Sequence, residues 1–316
     1  PLTSFSMLHF DADAGVMVTA SHNPAPDNGY KVYLGGSVVT GDGHGVQIVP
    51  PFDAEIADAI KATPPADQVP MNDDLVEAVD PRDEYVACAS ALASGEASAR
   101  EDLRIVLTAM HGVGAAITSR VLAEAGFSNV SLVAAQTDPD PDFPTVPFPN
   151  PEEAGALDMA IEQARSEGAD LIIAVDPDAD RCALAVPDPA SPTGWTPLSG
   201  DQIGCLLGEF LASRGVRGSL ANSIVSSRLL GRIARAHGLV HHTTLTGFKW
   251  IARAPQLAFG YEEAIGFCPN PSVARDKDGI ASSVVAASLF ASLKAQGRSA
   301  WDELDRLARL HGLHVT

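Results

Sequence analysis

ADLIIAVDPDADR, residues 169–181, decides how this chain is read. Its first half, LIIAV at 171–175, is a short apolar run of the kind that forms a strand buried on both faces of a parallel sheet. Its second half sets three carboxylates, Asp176, Asp178 and Asp180, at alternate positions immediately after that strand. In an open α/β sheet, the loops at the carboxyl ends of the strands are where ligands bind. Alternate acidic side chains in such a turn can converge on one hard divalent cation, and three carboxylates leave positions for substrate oxygens, as Mg²⁺ prefers. Arg181 next to them offers a fork for a phosphate held on that metal. A calcium loop of the EF-hand type is excluded, because counting from Asp176 its glycine position is Arg181 and its closing glutamate position is Pro187. The competing reading of the spacing alone is an acidic, solvated turn.

Working outward, LRIVLTAM predicts a strand, and SRVLAEAG a helix with Val121, Leu122 and Ala125 on one side and Gly126 as its stop. NVSLVAAQTD then reads as a second strand, and ALDMAIEQARSEG as a helix with Leu157, Ile161 and Ala164 inward and Gly168 at its end. This β-α-β-α-β order implies a parallel sheet with helices on its faces. Further along, the helix DQIGCLLGEFLASRG, the segment SLANSIVSS and the helix RLLGRIARAHG continue the alternation. Nearer the start, a strand-like GVMVTA, the loop SHNPAPDNG and KVYLGG precede FDAEIADAIKA, where Phe52, Ile56 and Ile60 have helical spacing and Asp53 could cap. The expected architecture is α/β in three consecutive domains, at residues 1–95, 96–199 and 200–316.

Composition limits the partners. The chain has 316 residues, 46% hydrophobic and 19% charged, with 21 Lys and Arg against 40 Asp and Glu, for a net charge of -19. Such a surface repels phosphodiester backbones and anionic lipids, so neither nucleic acid nor membrane is an expected partner. Any anionic substrate must be met by a few focused cations. No apolar run approaches the roughly 18 to 20 residues that span a bilayer. Cys88, Cys182, Cys205 and Cys268 are far apart and form no CxxC pair, so reduced thiols and a cytoplasmic location are expected. The chain starts at Pro1 with no signal core ahead of its first motif, and it is expected to be a fragment.

Three other loops bear chemistry. TASHNPAPDNGYK, residues 19–31, places Ser21 beside His22 and Asn23, with Lys31 ten residues on to move protons. No GxSxG elbow occurs, so a hydrolase dyad is not indicated; a phosphate carrier and a plain Asn-Pro-Gly turn both remain open. HGVG at 111–114 could cradle a phosphate or simply make a tight turn, and as a dinucleotide fingerprint it lacks its third glycine, Ile117 standing there. In the third block Lys249, Glu262, Glu263, Arg275 and Lys277 are the charged residues suited to sugar hydroxyls and phosphate, although each alone reads as a surface charge.

TASHNPxxxNGYK, DPDFPTVPFPNPEE, DPDADR, GFKWI, EEAIG and RDKDG occur here in the order found in the α-D-phosphohexomutases, and the chain resembles the phosphoglucomutase and phosphomannomutase family over almost its whole length. The resemblance implies that Ser21 is the phosphorylated serine, and that Asp176, Asp178 and Asp180 hold Mg²⁺ together with an oxygen carried on Ser21. His22 and Arg181 would support the transferring group, and Lys31 matches the candidate general acid/base. Thr246, Gly247, Phe248 and Lys249 match the specificity loop. Glu262, with Glu263 beside it, matches the sugar-binding carboxylate, and Arg275 and Lys277 would reach the non-reacting phosphate.

The implied reaction interconverts hexose 1-phosphate and hexose 6-phosphate, of glucose or mannose, with hexose 1,6-bisphosphate as intermediate and activator. Many relatives have Ser where Ala264 stands. Members have four domains, so this chain resembles part of the first with the second and third, without the fourth domain's phosphate loop. A phosphopentomutase or sugar-bisphosphate synthase of the same family, a non-catalytic fragment, and a dinucleotide-dependent oxidoreductase resting on HGVG and Asp138 are the alternatives.

Overall fold

The computed structural model describes residues 1–315, and its elements form three sheets flanked by helices. In the first unit, α1 (Leu2–His9) leads into β1 (Ala14–Val18), β2 (Tyr30–Leu34), β3 (Val46–Gln47) and α2 (Phe52–Ala62). β1 and β2 pair antiparallel, with Met17 opposite Lys31 and Val18 opposite Tyr30. The segment between them is therefore the tip of a hairpin, and Ser21 and Lys31 lie at the same end of the sheet. Asp53 does not cap α2: Pro51 holds that position, so Asp53 falls in the first helical turn, where it accepts from the amide of Ala54 at 2.9 Å. No residue of α2 is buried, so the Phe52, Ile56, Ile60 stripe does not enter the core.

The second unit contains α3 (Arg82–Ser90), α4 (Ala97–Asp102), β4 (Ile105–Thr108), α5 (Ala115–Glu124), β5 (Val130–Leu132), α6 (Asp158–Glu167), β6 (Leu171–Val175), β7 (Cys182–Pro187) and β8 (Trp195–Pro197). β5, β4 and β6 are parallel, as the β-α-β alternation implies. β7 and β8 are antiparallel additions, so the sheet is mixed, in the order β5-β4-β6-β7-β8. The reason lies in the connection: DPDADR is far too short for a parallel crossover, which needs about a dozen residues or more, and can only return the chain as a hairpin. Tyr85, Val86 and Ala89 of α3 are buried in the core that surrounds β4 and β6, so the chain has joined the second sheet before residue 95.

The third unit holds α7 (Gly200–Ser213), β9 (Ser219–Ser223), α8 (Leu229–Ala236), β10 (Val240–Thr244), α9 (Phe248–Ile251), β11 (Leu257–Glu262), β12 (Gly266–Cys268), α10 (Gly279–Ala295) and α11 (Ala300–His311). Its sheet runs β10-β9-β11-β12, with the first three strands parallel and β12 antiparallel. α10 is apolar all round, and such a helix must be covered on every side. It packs on α3, α4, α5, β6 and β7 of the second unit as well as on α7 and β12 of its own. Two of its buried serines bond back along the helix, Ser282 to the Asp278 carbonyl and Ser283 to the Gly279 carbonyl, and Ser288 accepts from the Ser94 amide. Among the described residues, no helix is long and apolar enough to cross a membrane.

Two glycines clamp the carboxylate turn. A Cβ on Gly112 would overlap the backbone of Pro177, and one on Gly279 would overlap the carbonyls of Arg181 and Ala179. Because the obstructing atoms are backbone, neither site can relax by a rotamer change. Gly279→Ala should therefore cost about 1 to 3 kcal/mol, the range for overpacking a close-packed site, and urea denaturation would measure it. A midpoint unchanged from the parent would show that α10 does not press on this turn.

Candidate functional site

The turn after β6 brings together predicted residues from each of the three units, though not all of them. Asp176, Asp178 and Asp180 are buried, and one oxygen from each lies within 4.8 Å of the others. Ala179, at φ 58°, reverses the chain so that Asp178 and Asp180 face the same side. Neighbouring backbone fixes the turn: Val113 N–H donates to the Pro177 carbonyl, and Gly279 N–H to that of Ala179. The HGVG loop is thus a packing turn whose Val113 amide is already committed, which leaves no glycine-rich dinucleotide cradle there.

Ser21 stands over this turn. Its hydroxyl lies 3.2 Å from Asp176 Oδ2, 3.4 Å from Asp178 Oδ1 and 3.3 Å from His22 Nδ1. Ser21 has φ 55°, a left-handed conformation that a non-glycine residue adopts only when its surroundings hold it there. Thr19 supplies the hold. Its Oγ1 accepts from the Ser21 amide at 2.8 Å and donates to Asp178 Oδ2 at 3.1 Å. Sequence reading did not single out Thr19, because its role depends on a carboxylate far along the chain.

Cations come from every side. Lys31 Nζ sits 2.8 Å from Asp178 Oδ2 and 2.5 Å from Asp180 Oδ2. Burial would lower the Lys31 ammonium, but the charges of Asp180 and Asp178 outweigh it and hold the group well above its ordinary value. Lys277 is buried, 3.4 Å from Asp180 Oδ2 and 3.7 Å from Asp276 Oδ1. Burial opposes its charge, yet Asp180 and Asp276 push it up to about 12. Arg181 turns its Nη1 to the Ala264 carbonyl at 2.8 Å and its Nη2 toward Glu262 Oε1 at 4.0 Å.

The remaining expected residues are placed as follows. Glu262 is buried beside Arg181 and Lys277, and its carboxyl is raised by burial despite those two cations. Glu263 Oε2 accepts from Ser223 and Ser226, each at 2.8 Å, so this carboxylate anchors the segment between β9 and α8. Phe248 is buried in an apolar cluster with Ala221, Ile251 and Cys268, under Lys277, while Thr246 is exposed. Gly247, at φ 108°, starts the turn, and the Lys249 carbonyl accepts from Arg253. Arg275 pairs with Asp42 at 3.5 Å and reaches the Gly41 carbonyl at 3.2 Å, on the first unit.

Two further residues were not foreseen. Asp276 Oδ2 accepts from Tyr33 and from Gln47, both at 2.6 Å, tying the first sheet to the third unit. Glu152 is exposed, yet its carboxyl is raised by partial desolvation, against the lowering effect of Arg181 and His22. The stretch DPDFPTVPFPNPEE contained it, but spacing alone carried no sign of which carboxylate lies near Arg181 and His22.

The turn fits a metal ion. Its donors are all oxygens, the set that hard divalent cations take, and Asp180 Oδ1 is buried with no hydrogen-bond partner. Asp178 is pushed up to about 6 by burial and by the charges of Asp180 and Asp176, with Lys31 opposing. Its folded value lies above its unfolded one, so its contribution to stability falls as pH rises from about 4 to 6. Asp180 behaves oppositely: burial would raise it, but Lys277 and Lys31 hold it well below the carboxylate range, and its contribution is lost as pH falls. A cation on the triad must displace the Asp178 proton below that window. Added Mg²⁺ should therefore raise the melting temperature clearly at pH 7.5 and little at pH 5. Equal shifts at both values would place the ion elsewhere.

Comparison with known proteins gives the family of the chain. The phosphoglucomutase/phosphomannomutase alpha/beta/alpha domain I matches residues 1–66, domain II residues 83–189 and domain III residues 199–310. A probable phosphomannomutase of Haemophilus influenzae is 45% identical over 100% of this chain and 64% of its own length. A human phosphopentomutase is 33% identical over 100% of the chain and 54% of its own length. Among solved structures, a putative phosphomannomutase from Thermus thermophilus superposes with a TM-score of 0.79 at 26% identity, over 99% of this chain and 67% of that one. The chain thus spans about two thirds or less of the length of these proteins.

Proposed function

The chain belongs to the phosphoglucomutase/phosphomannomutase family, and from that premise we propose that it carries the phosphoserine, metal and sugar loops of an enzyme interconverting hexose 1-phosphate and hexose 6-phosphate. The observation that carries the reading is the Ser21 hydroxyl, within hydrogen-bond reach of two carboxylates of the metal turn and of His22. A hydroxyl in that position is placed to bear a phosphoryl group facing a cation on the turn.

Mg²⁺ on Asp176, Asp178 and Asp180 would neutralise the phosphoryl oxygens during transfer. The chain's own groups do the positioning. Thr19 holds Ser21 in its left-handed conformation, aiming Oγ at the turn. Phosphoryl transfer breaks the bond to Ser21 Oγ and forms one to a sugar hydroxyl oxygen, so one proton must pass from that hydroxyl to Ser21. His22 Nδ1, at 3.3 Å from Oγ, and Lys31 Nζ are the nearby proton carriers. Lys31, kept protonated by its carboxylates, suits the acid role. Glu262, buried and flanked by Arg181, suits the sugar hydroxyls, and hexose 1,6-bisphosphate fits as the intermediate that turns over between two transfers.

Likeness to a human phosphopentomutase keeps ribose phosphates open as the substrate, whereas the higher identity to a probable phosphomannomutase favours hexose. Glucose, mannose and ribose 1-phosphates offered to the full-length protein would be ranked by kcat/KM. In that protein Ser21→Ala should abolish both the labelling of the chain by a phosphate-labelled hexose bisphosphate and at least about 99% of mutase turnover, as expected for loss of a covalent nucleophile. Turnover unchanged in Ser21→Ala would refute the assignment.

Glu262→Ala separates the sugar role from the metal role. It should raise KM or lower kcat for the sugar phosphate while leaving Mg²⁺ binding at its parent value. A parallel loss of metal affinity would instead make Glu262 part of the metal environment.

A further inference from the structure

A cavity of about 840 Å³ lies away from the carboxylate turn. It lies between α8 and the ends of β9 and β10, and Arg228, Arg232 and Arg235 all line it. Their spacing of four and three residues puts them along one face of α8.

In a chain with 40 acidic residues, several helical cations find a carboxylate partner. Arg120 pairs with Glu124, Arg306 with Glu303 and Arg309 with Asp305. α8, with the sequence LLGRIARA, contains no acidic residue, and no Asp or Glu is among the residues lining the cavity. Arg228, Arg232 and Arg235 have no ion-pair partner among the described residues. Three unneutralised guanidinium groups facing one concave space focus a positive potential that the rest of this surface opposes. Guanidinium forks match the oxygens of a phosphate monoester.

The rest of the lining narrows the ligand. Thr243 presents an exposed hydroxyl and His241 its Nδ1, whereas Asn222 and Ser223 are buried and bonded within the protein, and no Phe, Tyr or Trp is there to stack on a nucleobase. Gly231 opens the floor, since a Cβ there would come within 3.0 Å of His241 Nδ1. Ser223 also donates to Glu263, the neighbour of Glu262, so an occupant of the groove touches the strand-end that holds the sugar loop.

We propose that this groove is a second binding site, separate from Ser21, for a small phosphorylated polyol, its phosphate taken by Arg232 and Arg235 and its hydroxyls by Thr243 and the Nδ1 of His241. Only the sugar part of that assignment rests on the function proposed above. The site needs no metal, because its cations are not neutralised by carboxylates.

Calorimetric titration of glucose 1,6-bisphosphate into the full-length protein with divalent ions chelated isolates this site. The parent protein should bind, more weakly as salt is raised, and R232S/R235S should lose at least tenfold in affinity. R232K/R235K should recover part of it, and all three should show the same circular dichroism and melting temperature. Absence of binding in chelator, or binding indifferent to both double variants, overturns the site. Inorganic phosphate binding as tightly as the sugar bisphosphate overturns the polyol part. Labelling of Ser21, measured separately with Mg²⁺, tests the other site: loss of labelling with groove binding intact would refute the mutase reading and leave the groove standing.

Discussion

Three carboxylates in one buried turn cannot all stay ionised unless cations are brought to them, and the arrangement of the three units follows from that demand. The first unit sends Lys31, the second keeps Arg181 within the turn itself, and the third sends Lys277. Each opposite pair at about 4 Å is worth about 4 kcal/mol at the effective dielectric of a protein surface, before desolvation is subtracted. Moving any unit away would strand a charge on one side and a carboxylate on the other. The contacts that set the units together are accordingly charged and polar at the turn, and apolar only behind it, where α10 is shared by the second and third cores.

Much of this was legible in the chain. The buried run LIIAV, the alternation of aspartates and the helix stops at Gly126 and Gly168 are local signals, and local physics produces them: the strand is buried, and Gly168 adopts the left-handed conformation at φ 63°. What could not be read depends on partners remote in sequence. RDKDG looks like a surface charge run, yet Asp276 meets Tyr33 and Gln47, Lys277 meets Asp180, and Asp278 both caps α10 and accepts from Tyr85 at 2.7 Å. Glu263 and Phe248 sit in motifs that suggested ligand contact, and both side chains are taken up by the protein, one by serine hydroxyls and one by an apolar cluster. The antiparallel β7 was hidden in the same way, because an alternation of strands and helices does not reveal where a tight turn replaces a crossover.

Precision at Ser21 is likewise a collective property. A left-handed serine in a hairpin tip would relax in isolation, since nothing in SHNPAPDNG prefers that conformation for it. Its position is maintained by Thr19, which bonds both the Ser21 amide and Asp178, and the carboxylate turn in its turn is held between Gly112 and Gly279. Order therefore passes from a close-packed core, through two side-chain-free contacts, to a turn, and from the turn to the hydroxyl. This is the usual relation of a reactive loop to a rigid scaffold, in which function sits on loops and accuracy comes from the elements beneath them.

Charge balance also explains why the carboxylate turn and the α8 groove differ in kind. Around the turn, Asp176, Asp178, Asp180, Glu262, Asp276 and Asp278 are all buried, while the cations that face them are Lys31, Lys277 and Arg181. With these groups ionised the region carries an excess of negative charge, and a phosphate dianion approaching Ser21 would be repelled. A divalent cation on the triad would relieve that repulsion, and the Asp178 carboxyl is raised first by burial and then by the charges of Asp180 and Asp176. Along α8 the balance is reversed, with three arginines and no carboxylate lining the groove. On a chain of net charge -19, that is where an anion can be held by side chains alone.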